Sequence, residues 1–196
     1  MRNPEVTRLL ILDASAKLFN VKGYKATALS DITKATGLTK GAIYSHFENK
    51  DQLEKHALLH MMNFFVATIT QRVKAGNNAG EKIGAIMGYF ESYKSNPPFE
   101  GGCPVLNAAI EADDTNPELK KVVAGIFNVL HHSIVTILNN GVKHGQLKKD
   151  INHDGFASMM ISSVEGAIVF MKVTGKSHHL DRVLAFLKAE FVKMEL

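Results

Sequence analysis

The positions of proline constrain this chain more than any other feature of its sequence. Its five prolines stand at positions 4, 97, 98, 104 and 117, so the segments 5–96 and 118–196 contain none. Proline disrupts the hydrogen bonding of a helix interior, and its absence permits long helices in both segments. Apolar residues there recur at helical spacing, and the strict alternation typical of strands is missing. We therefore predict an all-α fold.

Glycine, asparagine and proline punctuate this apolar pattern and divide it into about nine helices. Thr27, Thr39 and Asn49 are the predicted N-caps of the second, third and fourth helices, and Gln52 completes a capping box with Asn49. Tight turns separate the first three helices, which form a predicted domain at 1–48, and a more apolar domain follows at 49–196. The predicted helices lie at about 4–22, 28–36, 40–47, 50–75, 79–95, 103–113, 117–141, 152–175 and 179–196.

Positive charge is concentrated near the N-terminus. Residues 1–55 hold nine of the 23 Lys and Arg but six of the 19 Asp and Glu, so this segment carries +3 of the total +4. A basic segment favours an anionic partner such as nucleic acid.

The sequence predicts a cytoplasmic protein that neither spans nor binds a membrane. Asp13 and Lys17 interrupt the first apolar run before it reaches the length of a signal peptide. No run of 18 apolar residues occurs, as a membrane-spanning helix would require. Cys103 is the single cysteine, which excludes an intramolecular disulfide and fits a reducing compartment.

The segment around Gly37 has the pattern of a helix-turn-helix. Ala35 is small enough for two helices to cross closely, and Gly37 tolerates the positive φ that the turn requires. Leu38 follows the turn and is expected to point inward. The next helix then presents hydroxyl, amino and phenol groups outward, together with its free N-terminus. These groups suit a phosphate backbone and a major groove.

The stretch from Thr7 to Leu53 resembles the DNA-binding domain of the TetR family of transcriptional regulators, most specifically in the block from Thr39 to Lys50 (TKGAIYSHFENK). The resemblance implies a homodimeric repressor that binds double-stranded operator DNA and is released by a small-molecule effector. It also implies contacts to the DNA backbone by Thr27, Thr39, Tyr44 and Lys50. The positions that it implies near base edges are Lys40, Gly41, Ala42, Ser45 and His46.

The resemblance further implies an effector cavity in the domain at 49–196. Met and Phe side chains adapt to irregular apolar ligands, and a few polar groups among them would orient the ligand. The alternative for each apolar residue is an ordinary place in the core, and for each polar residue a satisfied buried or surface group. The predicted ligand-binding residues are Met61, Phe64, Phe65, Met87, Phe90, Cys103, Asn107, Phe127, His131 and Glu165.

Dimerisation is implied through the last two helices. Ser158, Ser162 and Gly166 form a stripe of small residues that permits close approach of a second helix. The ninth helix adds Val183, Leu187 and Phe191 to this predicted interface. Packing within one subunit is the alternative.

The sequence also bears on three other kinds of site. Gly102-Cys103-Pro104 resembles a TetR subgroup in which some members sense oxidants or electrophiles, so a sensor acting through Cys103 is an alternative. An all-helical enzyme is a distant one, because the phosphate-binding and nucleophile motifs of common enzymes are absent from the sequence. His56 and His60 stand one helical turn apart but lack an evident third ligand, so we predict no metal and no cofactor.

Overall fold

The computed structural model describes residues 3–112 and 116–196, and the regular elements of that part are helical, as predicted. The helices are α1 (Pro4–Lys22), α2 (Leu29–Thr36), α3 (Lys40–Tyr44), α4 (Lys50–Ala75), α5 (Ala79–Glu91), α6 (Pro104–Ala112), α7 (Pro117–Lys143), α8 (His153–Thr174) and α9 (His178–Val192), with a 3-10 turn at Ser92–Lys94.

The predicted helix bounds agree with the structure except at some ends. The third helix stops at Tyr44 instead of residue 47, and the fifth gives way to the 3-10 turn after Glu91. The predicted end of the sixth helix, at residue 113, lies outside the described residues.

The predicted caps are confirmed in part. Thr39 accepts a hydrogen bond from the Ala42 amide at 3.2 Å, and Asn49 accepts one from the Gln52 amide at 2.8 Å. In a capping box the Gln52 side chain would accept a hydrogen bond from the amide of Asn49, the N-cap. Gln52 Oε1 instead accepts one from the amide of Glu48, one residue earlier. The cap prediction for Thr27 is wrong, because α2 has Ala28 as its N-cap.

The first of two compact units comprises Met1–Phe65 and Phe99–Gly125. Its core joins the inner faces of α1, α2, α3 and the first half of α4. Ile11, Phe19, Ile32 and Ile43 have no measurable exposure, and Phe47 is 1% exposed. A cluster of large, fully buried side chains therefore fixes the directions of α1, α2 and α3.

The second unit comprises Val66–Pro98 and Ile126–Leu196, in which α9 packs against α5 and α8. Leu138, Met160, Leu180 and Leu187 are buried in its core. After α9 the chain returns toward the α7–α8 loop, where Leu147 and Glu195 form an isolated antiparallel bridge.

By length and composition alone, α7 (Pro117–Lys143) and α8 (His153–Thr174) could each cross a membrane. The mean hydropathy of the most apolar stretch of each helix is 1.5. Only 17% of that stretch in α7 and 39% of it in α8 is buried. Much of the apolar surface of both helices is therefore left uncovered within one chain.

Candidate nucleic-acid interface

The turn between α2 and α3 has at Gly37 the geometry that the sequence predicts, whereas Ala35, predicted to lie where the two helices cross, is exposed. Gly37 has φ 68° and ψ 13°, in the left-handed region, and its amide donates to Thr33 O at 2.9 Å. A residue with a Cβ would be strained there, although the space around Gly37 is open. The requirement for glycine is thus one of backbone conformation. The turn lets α3 leave α2 abruptly, as in a helix-turn-helix.

The outer surface of α3 is polar and accessible. Thr39, Lys40, Gly41 and Ser45 are exposed, and Tyr44 is 40% exposed although it adjoins the fully buried Ile43. Ala42 and His46 are half-buried beside them.

The Lys40 ammonium lies 5.7 Å from the centroid of the Tyr44 ring, and this arrangement favours a cation–π contact. The Thr39 hydroxyl still has its proton to donate after accepting from Ala42, so it remains able to bind a phosphate oxygen. The same helix end therefore offers a hydroxyl, an ammonium and a phenol to one ligand surface.

Lys50 lies at the start of α4 and is half-buried. Its ammonium donates to Tyr24 O at 2.7 Å and lies 3.2 Å from Glu54 Oε1. In the structure Lys50 therefore connects α4 to the turn after α1. A contact with DNA would have to use a remaining proton of the ammonium or release one of these partners.

Thr27 does not have the accessibility that a DNA contact needs. Its side chain is fully buried, and its hydroxyl donates to Gly23 O at 2.7 Å and lies 3.3 Å from Leu18 O. Its amide donates to Gly23 O as well. The predicted contact of Thr27 with the DNA backbone is corrected on this ground, and Thr27 instead fastens the turn to the end of α1.

Asp31 stabilises the start of α2. Its carboxylate accepts from Lys22 at 2.9 Å and from the Ala28 amide at 3.0 Å. The hydrogen bond from Lys22, followed by the one from Ala28, lowers the pKa of Asp31. A carboxylate in the first turn also interacts favourably with the helix dipole.

The predicted ligand-binding residues of the first unit have different surroundings. Met61 and Phe65 are buried, whereas Phe64 is 57% exposed and its ring meets Phe99 edge-on at 6.0 Å. Cys103 is buried directly before α6, and its carbonyl accepts from the Asn107 amide. The side chain of Asn107 donates to Asn20 and Gly101 in the same unit.

In the second unit Met87 is buried and lines a groove of about 510 Å³ between α5 and α9. Phe90 packs edge-on against Tyr89, and Phe127 is half-buried on α7. His131 Nε2 lies 3.2 Å from Ser158 Oγ. Glu165 is buried within α8.

The predicted dimer residues of the second unit differ in their exposure. Ser158, Ser162 and Gly166 are exposed along α8. Leu187 and Phe191 are 1% and 4% exposed, so they belong to the core of their own protomer. For these two the interface prediction is corrected, while Val183 is half-buried on α9.

Sequence reasoning missed the large apolar residues that α8 and α9 leave exposed. Met159, Phe170 and Val173 of α8 and Phe186 of α9 are between 52% and 79% exposed. Met159, Phe170 and Val173 lie on the same exposed side of α8 as Ser162 and Gly166, with spacings of three or four residues. Extending the stripe of small residues in both directions along α8 would have found the first three.

Comparison with known proteins places both parts of the chain. The family described as bacterial regulatory proteins of the tetR family matches residues 11–57, and the family described as the tetracyclin repressor-like C-terminal domain matches residues 79–187. Both α3 and the apolar helix α8 lie inside matched regions. The apolar helices α7 and α8 are thus core helices of a soluble fold.

Solved structures are similar over the whole chain. A TetR transcriptional regulator from Chloroflexus aurantiacus is 34% identical, with a TM-score of 0.94 and coverage of 100% of this chain and 98% of the other. A TetR-family regulator from Cytophaga hutchinsonii is 33% identical, with a TM-score of 0.91 and the same coverage. The transcriptional repressor DhaR of a Mycobacterium species is 24% identical over 89% of this chain and 86% of its own length.

Proposed function

The chain belongs to the tetR family of bacterial regulatory proteins, and we propose on that basis which of its residues bind the operator and how binding is controlled. It is a DNA-binding transcriptional regulator and not an enzyme. Its partners are operator DNA, a second copy of the chain and a small-molecule effector. It acts as a repressor in the cytoplasm, where it reaches the chromosome directly.

The observation that carries the proposed DNA interface is the accessible polar end of α3. Thr39 and Tyr44 are positioned to bind phosphate oxygens, and Lys40 lies against the Tyr44 ring. Gly41 and Ala42 leave room for α3 to approach base edges, which Ser45 and His46 would then contact. Lys50 adds positive charge at the start of α4. Thr27 is left out because its hydroxyl is buried.

The proposed dimer interface is the exposed apolar surface of α8 and α9. Phe170 is 52% exposed and Phe186 56% exposed, which are large exposures for aromatic side chains in a soluble protein. Gly166 has no atom within 4 Å of the position that a Cβ would take, so the stripe of small residues on α8 is open to a helix from a second copy. An isologous pair of such surfaces would form a four-helix seam.

The effector is proposed to bind in the C-terminal domain and to favour a conformation with low operator affinity. Within the second unit the buried Met87 supplies an adaptable apolar contact, and Glu165 is a buried polar group that would orient a ligand. Effector binding then shifts the population of the dimer away from the form that binds operator.

Fluorescence anisotropy with labelled DNA from upstream of the protein's own gene tests this function. Specific binding should weaken steeply as salt is raised, because Lys contacts release counterions from the phosphates. An unrelated duplex of equal length is the matched control. Equal affinity for both duplexes at every salt concentration would refute a specific repressor.

A second candidate, a sensor of electrophiles, is favoured by the position of Cys103. Its thiol stands at the start of α6, next to residues whose carbonyls bind Asn20 of α1. Addition of the thiol to a quinone would enlarge a side chain that is 8% exposed and so displace α6. A quinone should then lower the operator affinity of the wild-type protein and leave that of Cys103→Ser unchanged, and an equal response of both would leave Cys103 with a structural role.

A further inference from the structure

The turn between α1 and α2 is held by a carboxylate from a distant helix. Glu111 of α6 accepts from the Tyr24 amide through Oε1 and from the Lys25 amide through Oε2, each at 3.0 Å. Two consecutive backbone N–H groups thus bind the two oxygens of one side chain. Hydrogen bonds to an ionised acceptor are about twice as strong as those between neutral groups.

Gly23 makes room for this contact. It has φ 98°, which side chains with a Cβ rarely adopt, and a Cβ there would lie 2.8 Å from Glu111 Oε1. Backbone conformation and the approach of the carboxylate therefore both require glycine at the end of α1.

The same turn is fixed from a second direction. Lys50 of α4 donates to Tyr24 O, so the backbone groups on both sides of the Tyr24 Cα have charged partners. The Tyr24 ring is 3% exposed and stacks on Phe19 with centroids 5.0 Å apart. A small displacement of the turn would disturb all of these contacts together.

The other end of α6 is also fastened to α1. Asn20 Nδ2 donates to Glu100 O at 2.6 Å and to Gly102 O at 3.1 Å, and Asn107 Nδ2 donates to Asn20 Oδ1 at 3.0 Å. A Cβ at Gly101 would lie 2.2 Å from Asn20 O, so the loop before α6 approaches α1 as closely as backbone permits. Glu111 therefore projects from a helix whose position relative to α1 is already set.

We propose that Glu111 is a positioning residue for operator binding, because its carboxylate fixes the α1–α2 turn and with it the direction in which α2 and α3 leave α1. The inference rests on the proposed DNA-binding function and extends it to a residue outside the helix-turn-helix. Without Glu111 the turn samples further conformations, and only a fraction of the dimers presents α3 in the orientation that fits the operator.

The variant Glu111→Gln separates this role from an effect of charge. A glutamine side chain can accept a hydrogen bond from one of the two amides through its oxygen. Its own NH₂ group then faces the other amide and cannot accept from it. Neutralising a carboxylate also makes the protein more positive, which by itself strengthens binding to DNA phosphates. A loss of operator affinity in Glu111→Gln would therefore have the opposite sign to the electrostatic effect.

Glu100→Gln is the matched control, because it removes the same charge in the same compact unit. The Glu100 carboxylate is exposed and pairs with Lys17 of α1 at 2.7 Å, whereas the Glu111 carboxylate binds the amides of the turn. Operator affinity by anisotropy and amide hydrogen exchange of the free protein at Tyr24 and Lys25 are compared for wild type and both variants.

In Glu111→Gln the operator affinity should fall about tenfold, and hydrogen exchange of the Tyr24 and Lys25 amides should accelerate at least about tenfold. In Glu100→Gln the affinity and the exchange rates should equal those of the wild type. Equal affinity of Glu111→Gln and Glu100→Gln would overturn the proposal, even if exchange differed. If Glu111→Gln does not fold, Glu111→Asp keeps the charge but shortens the reach, and wild-type exchange in that variant would overturn the proposal. If the wild-type protein selects no DNA sequence, the proposed function fails, and exchange alone decides whether Glu111 holds the turn.

Discussion

Tyr44 is the residue at which the proposed DNA contact can be tested most directly. Its phenol is exposed next to a fully buried neighbour, so its removal should leave the core of the domain intact. Tyr44→Ala should weaken binding to the operator and to unrelated DNA by a similar factor, about tenfold, because a backbone contact carries no sequence information.

Tyr44→Phe is the control, since it keeps the ring beside Lys40 and removes only the hydroxyl. It should lose part of the affinity that Tyr44→Ala loses. Anisotropy titrations with both duplexes measure the effect, and wild-type affinity in Tyr44→Ala would remove the role assigned to the phenol.

Glu54 should make the stability of the protein depend on pH in an unusual direction. Burial raises its pKa above the ordinary value of 4.5, although hydrogen bonds from Lys50 and Asn116 act in the opposite sense. A raised pKa in the folded state means that stability is greatest with the carboxyl protonated and falls as the pH rises through the folded pKa. Glu54→Gln should therefore gain stability relative to wild type as the pH rises from about 4.5.

Asp31→Asn is the comparison variant, because the Asp31 carboxylate should change the stability of the protein with pH in the opposite direction. Because Lys22 and the Ala28 amide lower the Asp31 pKa, its contribution is present above the ordinary value of 3.8 and is lost as the pH falls through the folded pKa. Urea unfolding of both variants from about pH 3 to about pH 8, a range that contains the ordinary carboxyl pKa values, measures the trends. Parallel trends for the two variants would contradict the assignment.

At this scale, sequence reasoning succeeded where the determinants are local. Gly37 and Tyr44 belong to one short segment, whose pattern predicts a turn at Gly37 and an outward side chain at Tyr44, and the structure has both. Glu111 was missed because it contacts a turn 87 residues away in the chain. Neither the spacing nor the composition of α6 distinguishes an acid that binds two amides from one on a solvated surface.

Among the helices, α9 shows what periodicity does not determine. Val183, Leu187 and Phe191 share one apolar stripe with Leu184, and spacing does not tell whether the stripe meets the same chain or a second copy. The structure buries Leu187 and Phe191 against their own protomer and leaves Phe186 exposed. Helix positions were predicted well because caps and breakers are local signals, whereas the covered surface of a helix depends on its neighbours.

The dimer interface can be tested on the exposed surface of α9. Phe186→Glu places a charge in the proposed seam, and each isologous dimer contains the change twice. Loss of a buried aromatic anchor costs about 2–4 kcal/mol at an interface, so the dimer should dissociate at micromolar concentration. Sedimentation velocity over a range of concentrations measures this.

Lys188→Glu is the control for that variant. Lys188 is exposed on the same helix but lines the groove toward α5. It should sediment as wild type, and its melting temperature should be unchanged. If Phe186→Glu also remained dimeric, the interface would have to lie on another surface.

For the molecule as a whole, a two-fold dimer dictates the form of its operator. Two copies of α3 related by a two-fold axis bind two inverted half-sites, about 34–36 Å or one helical turn apart. Inserting about five base pairs between the half-sites of a selected operator turns one of them to the opposite side of the duplex. Wild-type affinity should then fall to that of a single half-site.

The monomeric Phe186→Glu variant provides the internal control for this spacing. Because each of its chains binds one half-site independently, its weaker affinity should not change when the insertion is made. Anisotropy with the native and the extended operator, for both proteins, gives four affinities from one experiment. A wild-type protein indifferent to the insertion would show that the two recognition helices are not held in a fixed relation, and α8 and α9 would then serve a purpose other than setting their distance.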